Sequence, residues 1–332
     1  MLNKDISFSL WLDFIERDFL NNKFVKLINK GIINGATSNP SIFASAITTS
    51  SAYKEQLESL KGKSAKDKYE ALAIQDIKTA AIALRECYDS GDDGYISIEV
   101  DPFLSDDTDA TVAEGKRLFK AIGEPNVMIK VPATEAGYNA MGRLIEMGIS
   151  VNATLIFSPA QAKKCLDVMA HSISEYTNIG GGRVEAVISV FISRFDRLID
   201  SQLKELGVET SKLGIMNGAK IYNIIEKNHT PAIKTLFAST GVKGDELKAD
   251  YYIRELMANH TVNTTPLDTI NAYIENGITK EQKLPISNEN INNYFEKLEK
   301  NGIDMEEIYE NLFNDGVKAF EDSFKEMLES IE

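Results

Sequence analysis

Short β-rich segments recur along the chain, and each is followed by a stretch long enough to form a helix. The segments are SFSLWLDF, GATSNP, GYISIEV, VMIKVPA, SVNATLIF, AVISVFIS, TLFAST and HTVNTTP. The stretches between them show helical spacing of apolar residues, as in SPAQAKKCLDVMAHSISEY and DELKADYYIRELMAN, where Ser-Pro and Asp are typical helix starts. Eight strand-helix units predict an α/β fold, a (β/α)₈ barrel. Six units and two misread loops would instead give a doubly wound sheet, and we favour the barrel.

The 332 residues show no shift in composition, no low-complexity tract and no linker, which favours one barrel domain over residues 1–332. The connection after Asn39 is the longest and contains two helical patterns, SAYKEQLESLKG and KYEALAIQDIKTAAIALRECYDS. A further helical tail follows Ile291. We expect additional helices after strand 2 and at the C-terminus, with the C-terminal helices, about 291–331, packed on the barrel by one apolar face.

Charge and composition narrow the function classes. Fifty acidic against thirty-six basic side chains give a net charge of -14, which argues against nucleic acid and anionic membrane surfaces as partners. The amino terminus MLNKDISFSL lacks the features of a secretory signal, and no apolar run is long enough to span a bilayer. We therefore expect a cytoplasmic protein. Cys87 and Cys165 fall in helical segments without metal or redox spacing and are expected to be reduced packing residues.

Polar residues gather where the predicted strands end. In a (β/α)₈ barrel these ends converge on one open mouth, where catalytic side chains are found. The candidates along the chain are Asp13, Asn39, Glu99, Lys130, Asn152, Thr154, Ser189, Arg194, Ser239 and Lys243. The last strand offers only Asn263 and threonines.

Several of these residues have simpler explanations when each is considered alone. Asp13 is slightly better explained as a helix cap, and Asn39 before Pro40 as a turn residue. For Glu99 a solvated acidic loop is as good an explanation as a functional one. Lys130 differs, because an ionised lysine inside an apolar strand is rare unless it is paired or functional.

A buried lysine suits chemistry at a ketone. An amine attacks a ketone only when unprotonated, and desolvation favours the neutral amine. The Schiff base then withdraws electrons, so that a carbon–carbon bond of the substrate can break. One carboxylate must take the proton from the departing hydroxyl, and a second group must manage the water lost and regained. Asp13 and Glu99 could divide these tasks.

With these residues assembled, the chain resembles a transaldolase of the longer bacterial subfamily, within the class I Schiff-base aldolase superfamily. The resemblance runs from about Trp11 to Pro266. It rests on the motifs WLDFIERD, GATSNPSIF, SIEVDP, MIKVPATEAG, VNATLIFS, SVFISRFD, FASTGVK and VNTTP. Transaldolases carry the Schiff-base lysine on the fourth barrel strand, and Lys130 lies on the fourth predicted strand.

The resemblance implies a role for each catalytic residue. Lys130 would form the Schiff base, and Asp13 would be the general acid and base at the C4 hydroxyl. Glu99 and Thr154 would hold the water that relays protons. These roles of Asp13 and Glu99 agree with the two proton-transfer tasks that the reaction at the ketone requires.

The resemblance also implies the residues that hold the sugar. Asn39 and Asn152 would hydrogen-bond the sugar hydroxyls and the dihydroxyacetone fragment, and Ser189 would contact its C1 hydroxyl.

The phosphate would be bound by Arg194, whose guanidinium suits a phosphate bidentately. Shorter transaldolases end the seventh strand in a serine closely followed by an arginine, whereas this chain has ASTGVK. Ser239 therefore carries over, and Lys243 is proposed as the second cation. Lys220 is the rival for that role, although its surroundings indicate a helix before the seventh strand.

The implied activity is transfer of a dihydroxyacetone unit from sedoheptulose 7-phosphate or fructose 6-phosphate to glyceraldehyde 3-phosphate or erythrose 4-phosphate, in the pentose phosphate pathway. One alternative is a fructose-6-phosphate aldolase-like lyase, but that branch typically has a tyrosine where this chain has Phe191. Another is a non-catalytic sugar-phosphate-binding protein, since fold alone does not fix function.

We expect no cofactor and no metal. No G-x-G-x-x-G motif opens a helix, and His171, His229 and His260 are scattered. The expected partners are small-molecule sugar phosphates, with no nucleic acid and no membrane. The sequence leaves the oligomeric state open, with a homodimer as one option.

Overall fold

A closed barrel of eight parallel strands forms the centre of the molecule, seen in a computed structural model that describes residues 4–244 and 246–332. Each strand pairs with its neighbours in chain order, and β8 closes on β1. The strands are β1 (Phe8–Asp13), β2 (Gly35–Thr37), β3 (Tyr95–Glu99), β4 (Val127–Pro132), β5 (Val151–Ile156), β6 (Ala186–Phe191), β7 (Ile233–Ala238) and β8 (Thr261–Thr265). The barrel prediction is confirmed, and the doubly wound alternative is wrong.

Helices surround the barrel and follow the strands in turn. They are α1 (Arg17–Phe19), α2 (Val25–Asn29), α3 (Pro40–Thr49), α4 (Lys54–Ser59), α5 (Ala65–Ala83), α6 (Arg85–Asp89), α7 (Thr108–Ile122), α8 (Glu135–Glu146), α9 (Pro159–Asn178), α10 (Ser193–Glu205), α11 (Leu213–Lys227), α12 (Tyr251–Glu255), α13 (Leu267–Glu275), α14 (Asn288–Lys300) and α15 (Met305–Ser330). A π-helical segment, Leu20–Phe24, joins α1 to α2. Short 3₁₀ turns lie at Lys4–Ile6, Ser51–Tyr53 and Pro102–Leu104.

The two helices named from their spacing have different outcomes. The serine-proline start is confirmed at α9, where Ser158 Oγ accepts from Gln161 N and Gln161 Oε1 accepts from Ser158 N, a reciprocal cap. The second pattern, DELKADYYIRELMAN, is only partly helical. Its first residue, 245, lies outside the described residues, and α12 begins only at Tyr251, after the buried Asp250, whose carboxylate accepts from Asn276 and Arg254.

The strand register places the polar side chains of β3, β4 and β5 side by side. Glu99 pairs with Lys130, and Lys130 in turn pairs with Asn152. The pairing of β5 with β6 is then irregular between Ala153 and Ile156, within which Leu155 has a φ of 59°. Such irregularities change the direction of neighbouring side chains. This one lies in the C-terminal part of β5, directly after Asn152.

The insertion after β2 and the C-terminal tail pack against each other. Helix α15 lies along α3 and also contacts α5. Phe324 of α15 meets the ring of Tyr69 at 5.4 Å and that of Phe103 at 6.1 Å between centroids. Lys68 Nζ donates to the carbonyls of Ile331 and Glu332. The added helices are therefore packed parts of the fold rather than loose extensions.

Both cysteines are free thiols in helices, with Cys165 buried and Cys87 half-buried. Among the residues that the structure describes, none of the helices combines the length and apolar character needed to cross a bilayer. Residues 1–3 of the amino-terminal stretch considered above lie outside the described residues.

Candidate active site

A cavity of about 140 Å³ opens at the C-terminal end of the barrel. Its walls are formed by Asp13, Thr37, Asn39, Lys130, Asn152, Thr154, Ser189, Phe191, Arg194, Ala238, Ser239, Thr264 and Phe320. Every predicted site residue lines it except Glu99, which contacts Lys130 directly, and Lys243. The structure therefore brings together residues from most of the barrel strands, as the strand-end pattern predicts.

Lys130 occupies an apolar strand and is 6% exposed, between Ile129 and Val131, which are fully buried. Its Nζ donates to Glu99 Oε2 at 3.2 Å and to the carbonyl of Ser38 at 3.3 Å. A charge in such a place requires a partner, and the carboxylate supplies it.

Glu99 is buried at 6% exposure and is not part of a solvated loop. Burial raises the pKa of its carboxyl to about 7, although Lys130 acts in the opposite direction. Its second oxygen, Oε1, and the hydroxyl of Thr154 are both buried without a hydrogen-bond partner among the described residues. The Glu99 carboxyl is therefore only partly satisfied by the protein, through its bond to Lys130.

Asp13 ends β1 and accepts a hydrogen bond of 2.6 Å from the hydroxyl of Thr37. That hydroxyl lies 2.7 Å from the hydroxyl of Thr264. Burial raises the pKa of Asp13, while Thr37 and Lys130 oppose the shift. The helix-cap explanation for Asp13 is wrong, because Glu16 caps α1 and accepts from the backbone of its first turn.

Asn152 is fully buried and links two strands. Its Nδ2 donates to Ser97 Oγ at 3.2 Å, and its Oδ1 accepts from Ser189 Oγ at 2.6 Å. Asn39 has two roles. Its Oδ1 accepts from Ile42 N and so caps α3, and the residue also lines the cavity. Its turn role and its place in the cavity are therefore compatible.

Arg194 brings a cation to the cavity from the first turn of α10. Its guanidinium lies 5.0 Å from the ring centroid of Phe191. Burial and the neighbouring Arg197 lower its pKa, with Asp315 acting against them. Within the described ranges no carboxylate lies within ion-pairing distance of it. Ser239, with a φ of 56°, places its hydroxyl 3.1 Å from that of Ser193.

Lys243 lines a neighbouring cavity of about 320 Å³, whose walls include Asp13, Ser239 and Thr264 of the first cavity. Arg197 lines this second cavity as well and was not predicted. Its signal is the spacing SRFDR, in which residues three apart share a helix face.

Lys220 lies elsewhere, on α11 as its sequence surroundings indicate, with its Nζ 4.7 Å from the ring centroid of Phe295. It lines an open groove of about 890 Å³ together with Glu296 and Glu299. That groove is larger than either cavity at the strand ends but holds none of the predicted site residues. Of the two rival lysines, only Lys243 lies beside the site.

Several residues that shape the cavity are not among the predicted site residues. Thr37 stands two positions before Asn39 and could have been found from the strand-end rule, as could Thr264. Phe320 could not, because it reaches the cavity from the C-terminal helix, with its ring centroid 5.1 Å from Lys130 Nζ. No group of three or more His, Cys, Asp and Glu side chains suited to a metal occurs in the part of the chain that the structure describes.

These features define a (β/α)₈-barrel protein with a buried, carboxylate-paired lysine at its strand ends. The family model described as Transaldolase/Fructose-6-phosphate aldolase matches residues 10–331. A protein of Helicobacter pylori strain ATCC 700392 / 26695 named Transaldolase is 45% identical over 325 residues, covering 97% of this chain and 99% of its own. A Transaldolase of Campylobacter jejuni strain 81116 is 45% identical over 332 residues, covering 98% and 99%. The chain belongs to the transaldolase/fructose-6-phosphate aldolase family of enzymes.

The Glu99 carboxyl should titrate near pH 7 rather than near 4.5. Between those values the folded protein keeps a proton that the unfolded chain releases, so the contribution of this group to the free energy of unfolding falls as pH rises. Lys130→Met should raise the pKa further, because it removes the cation that lowers it. Infrared difference spectra across this range measure the carboxyl, with Glu99→Gln as the assignment control. A midpoint between 4 and 5, or one that Lys130→Met leaves in place, would contradict the prediction.

Proposed function

We propose that the protein is a transaldolase, which transfers a dihydroxyacetone unit from sedoheptulose 7-phosphate or fructose 6-phosphate to glyceraldehyde 3-phosphate or erythrose 4-phosphate. The observation that carries the proposal is Lys130, a buried amine that faces a cavity and pairs with a carboxyl of raised pKa. Relatives named transaldolase over nearly the whole chain support it. We place the reaction in the pentose phosphate pathway of the cytoplasm.

The first half of the reaction joins the donor to the enzyme. Lys130 Nζ attacks the ketone carbon C2, and the carbinolamine that results loses its oxygen as water, which leaves a protonated iminium nitrogen. Glu99 is suited to supply and recover the proton for that water, since a pKa near the working pH permits both directions. Thr154 offers a hydroxyl that would hold the same water.

The second half breaks and remakes a carbon–carbon bond. Asp13 takes the proton of the C4 hydroxyl, the C3–C4 bond breaks, and the aldose phosphate leaves while its bonding electrons form an enamine on Lys130. The enamine carbon then attacks the aldehyde of the acceptor, and Asp13 returns the proton. A raised pKa suits this double duty, because an ordinary aspartate would hold a proton too weakly.

The sugar would be held by Asn39, Asn152 and Ser189. Asn152 and Ser189 are already bonded to each other, so the two side chains face the donor in a fixed arrangement. Preorganised hydrogen-bonding groups lose little entropy on binding. Arg194 would bind the phosphate, with Ser239 and Lys243 beside it, because its guanidinium has no carboxylate partner in the described ranges and lies partly buried.

The lyase alternative differs in the fate of the enamine. Phe191, 7% exposed, packs on Phe157 at 5.2 Å and offers an apolar ring to the cavity. Such a ring neither donates a proton nor holds a water, so the enamine should wait for an acceptor. Both products from fructose 6-phosphate, measured with and without acceptor, separate the two functions: abundant free dihydroxyacetone from the unaltered protein would assign the lyase activity.

Lys130→Ala should abolish transfer and leave the fold intact, because it removes the amine that forms the covalent intermediate. Borohydride trapping with fructose 6-phosphate, followed by peptide mass spectrometry, should label Lys130 in the unaltered protein and nothing in the variant. Undiminished trapping on the variant would refute the assignment, and no trapping on the unaltered protein would favour a non-catalytic binding protein.

Asp13→Asn should still form the Schiff base but fail to cleave the donor, since an amide cannot accept the C4 hydroxyl proton. The variant should accumulate trapped, uncleaved fructose 6-phosphate, and mass spectrometry distinguishes that six-carbon adduct from the three-carbon one. Turnover at the native rate would remove Asp13 from the mechanism.

Arg194→Ala should weaken productive binding of phosphorylated donor and acceptor by about 2 to 4 kcal/mol, the scale for removing one partner of a desolvated charge pair. The binding of an unphosphorylated donor should be weakened far less. Lys243→Ala should show the same selectivity to a smaller degree, because its side chain is exposed. Lys220→Ala, on the distant groove, is the matched control and should alter the binding of neither the phosphorylated nor the unphosphorylated donor. Equal losses with both donors would show that Arg194 does not bind phosphate.

A further inference from the structure

One face of helix α15 carries an apolar stripe across the mouth of the barrel. Gly316, Phe320, Phe324, Met327 and Ile331 follow one another at intervals of three or four residues, which places them on the same side of the helix. Phe324 and Met327 are buried, whereas Phe320 is half-buried and lines the cavity of Lys130. The stripe therefore has a packing part and a part that faces the site.

Helix α15 packs closely on the rest of the protein on both sides of Phe320. One turn before it, a Cβ on Gly316 would lie 3.1 Å from Leu155 Cδ2 and 3.5 Å from the Arg194 guanidinium, so glycine lets the helix approach closely. Beyond it, Phe324 packs on Tyr69 and Phe103. The helix that carries Phe320 is thus closely packed one turn before it and one turn after it.

The ring faces the nitrogen on which the proposed reaction depends. Lys130 Nζ lies 5.1 Å from the centroid of Phe320, within the range of about 6 Å for a cation–π contact. The same nitrogen is cationic as an ammonium and as the iminium of a Schiff base. An apolar ring there has two effects: it stabilises the cation, and it occupies space that water would otherwise fill.

We infer that Phe320 is a residue of the reaction site, contributed by the C-terminal helix, that stabilises the cationic Schiff base on Lys130 and keeps water from the enamine, so that transfer prevails over release. The inference rests on the proposed function. It assigns to α15 more than the packing role that its amphipathic pattern predicts.

Release and transfer share the enamine and differ in one step. In release, a proton from water bonds to the enamine carbon, a second water adds to C2 of the resulting iminium, and the C–N bond breaks to give dihydroxyacetone and free Lys130. In transfer, the enamine carbon bonds to the aldehyde carbon instead. Phe320 would therefore limit the access of water from the mouth to the enamine, in a cavity that Phe191 also lines.

Phe320→Leu tests this inference, since it keeps an apolar side chain but removes the ring face. With fructose 6-phosphate as donor and erythrose 4-phosphate as acceptor, free dihydroxyacetone per transfer should rise about threefold or more, and borohydride-trapped Schiff base should fall, as expected for loss of a desolvated cation–π contact. Phe320→Trp retains an aromatic face, so its yield of borohydride-trapped Schiff base should be at least that of Phe320→Leu. Phe313→Leu makes the same change on α15 outside the cavity and should match the unaltered protein.

Native partition and trapping in a folded Phe320→Leu protein would overturn the inference, as would an equal change in Phe313→Leu. Thermal unfolding monitors the fold, and should Leu at 320 be unfolded, Phe320→Met is measured in its place with the same expected rise. Failure of the proposed function has a different signature, because the unaltered protein would then trap no donor on Lys130.

Discussion

The ion pair of Lys130 and Glu99 is the interaction on which the arrangement of the site depends. A lysine within an apolar strand must be compensated, since desolvating an unpaired ammonium costs several kcal/mol even after relaxation. Glu99 pairs with it across β3 and β4 at 3.2 Å, and its other oxygen remains without a partner among the described residues. The Glu99 carboxyl is therefore only partly satisfied by its bond to Lys130, which is compatible with the proton-transfer role that we propose for it.

Much of this arrangement could be predicted because it follows from strand ends. A parallel barrel brings the C-terminal ends of all its strands to one mouth, so Asp13, Lys130 and Asn152 converge whatever the details of packing. The spacing of apolar residues, with a period of two in strands and 3.6 in helices, does not predict contacts between elements that are far apart in sequence. Phe320 lies 190 residues after Lys130, and the packing of α15 on α3, α5 and other parts of the barrel brings its ring to the amine.

Local signals also misled where two residues compete for one task. Asp13 and Glu16 both precede α1, and either could cap it by sequence alone. The structure gives the cap to Glu16, which accepts two backbone N–H groups, and this leaves the carboxylate of Asp13 to Thr37 and the cavity. Helix α12 is likewise shorter than its sequence pattern predicts and begins only at Tyr251.

The charges of the site differ from those of the whole chain, and this contrast is compatible with the anionic substrates that we propose. The chain carries a net charge of -14, yet Arg194, Arg197 and Lys243 gather on adjoining cavities at the mouth. Fields focus in clefts with low-dielectric walls and salt screens distant surface carboxylates, so the local potential depends on these cations and on Asp13 and Asp268, which line the same cavities. The cations also differ in kind. Lys130 has a carboxylate beside it, whereas Arg194 has none in the described ranges, which is the basis for the phosphate-binding role that we propose for it.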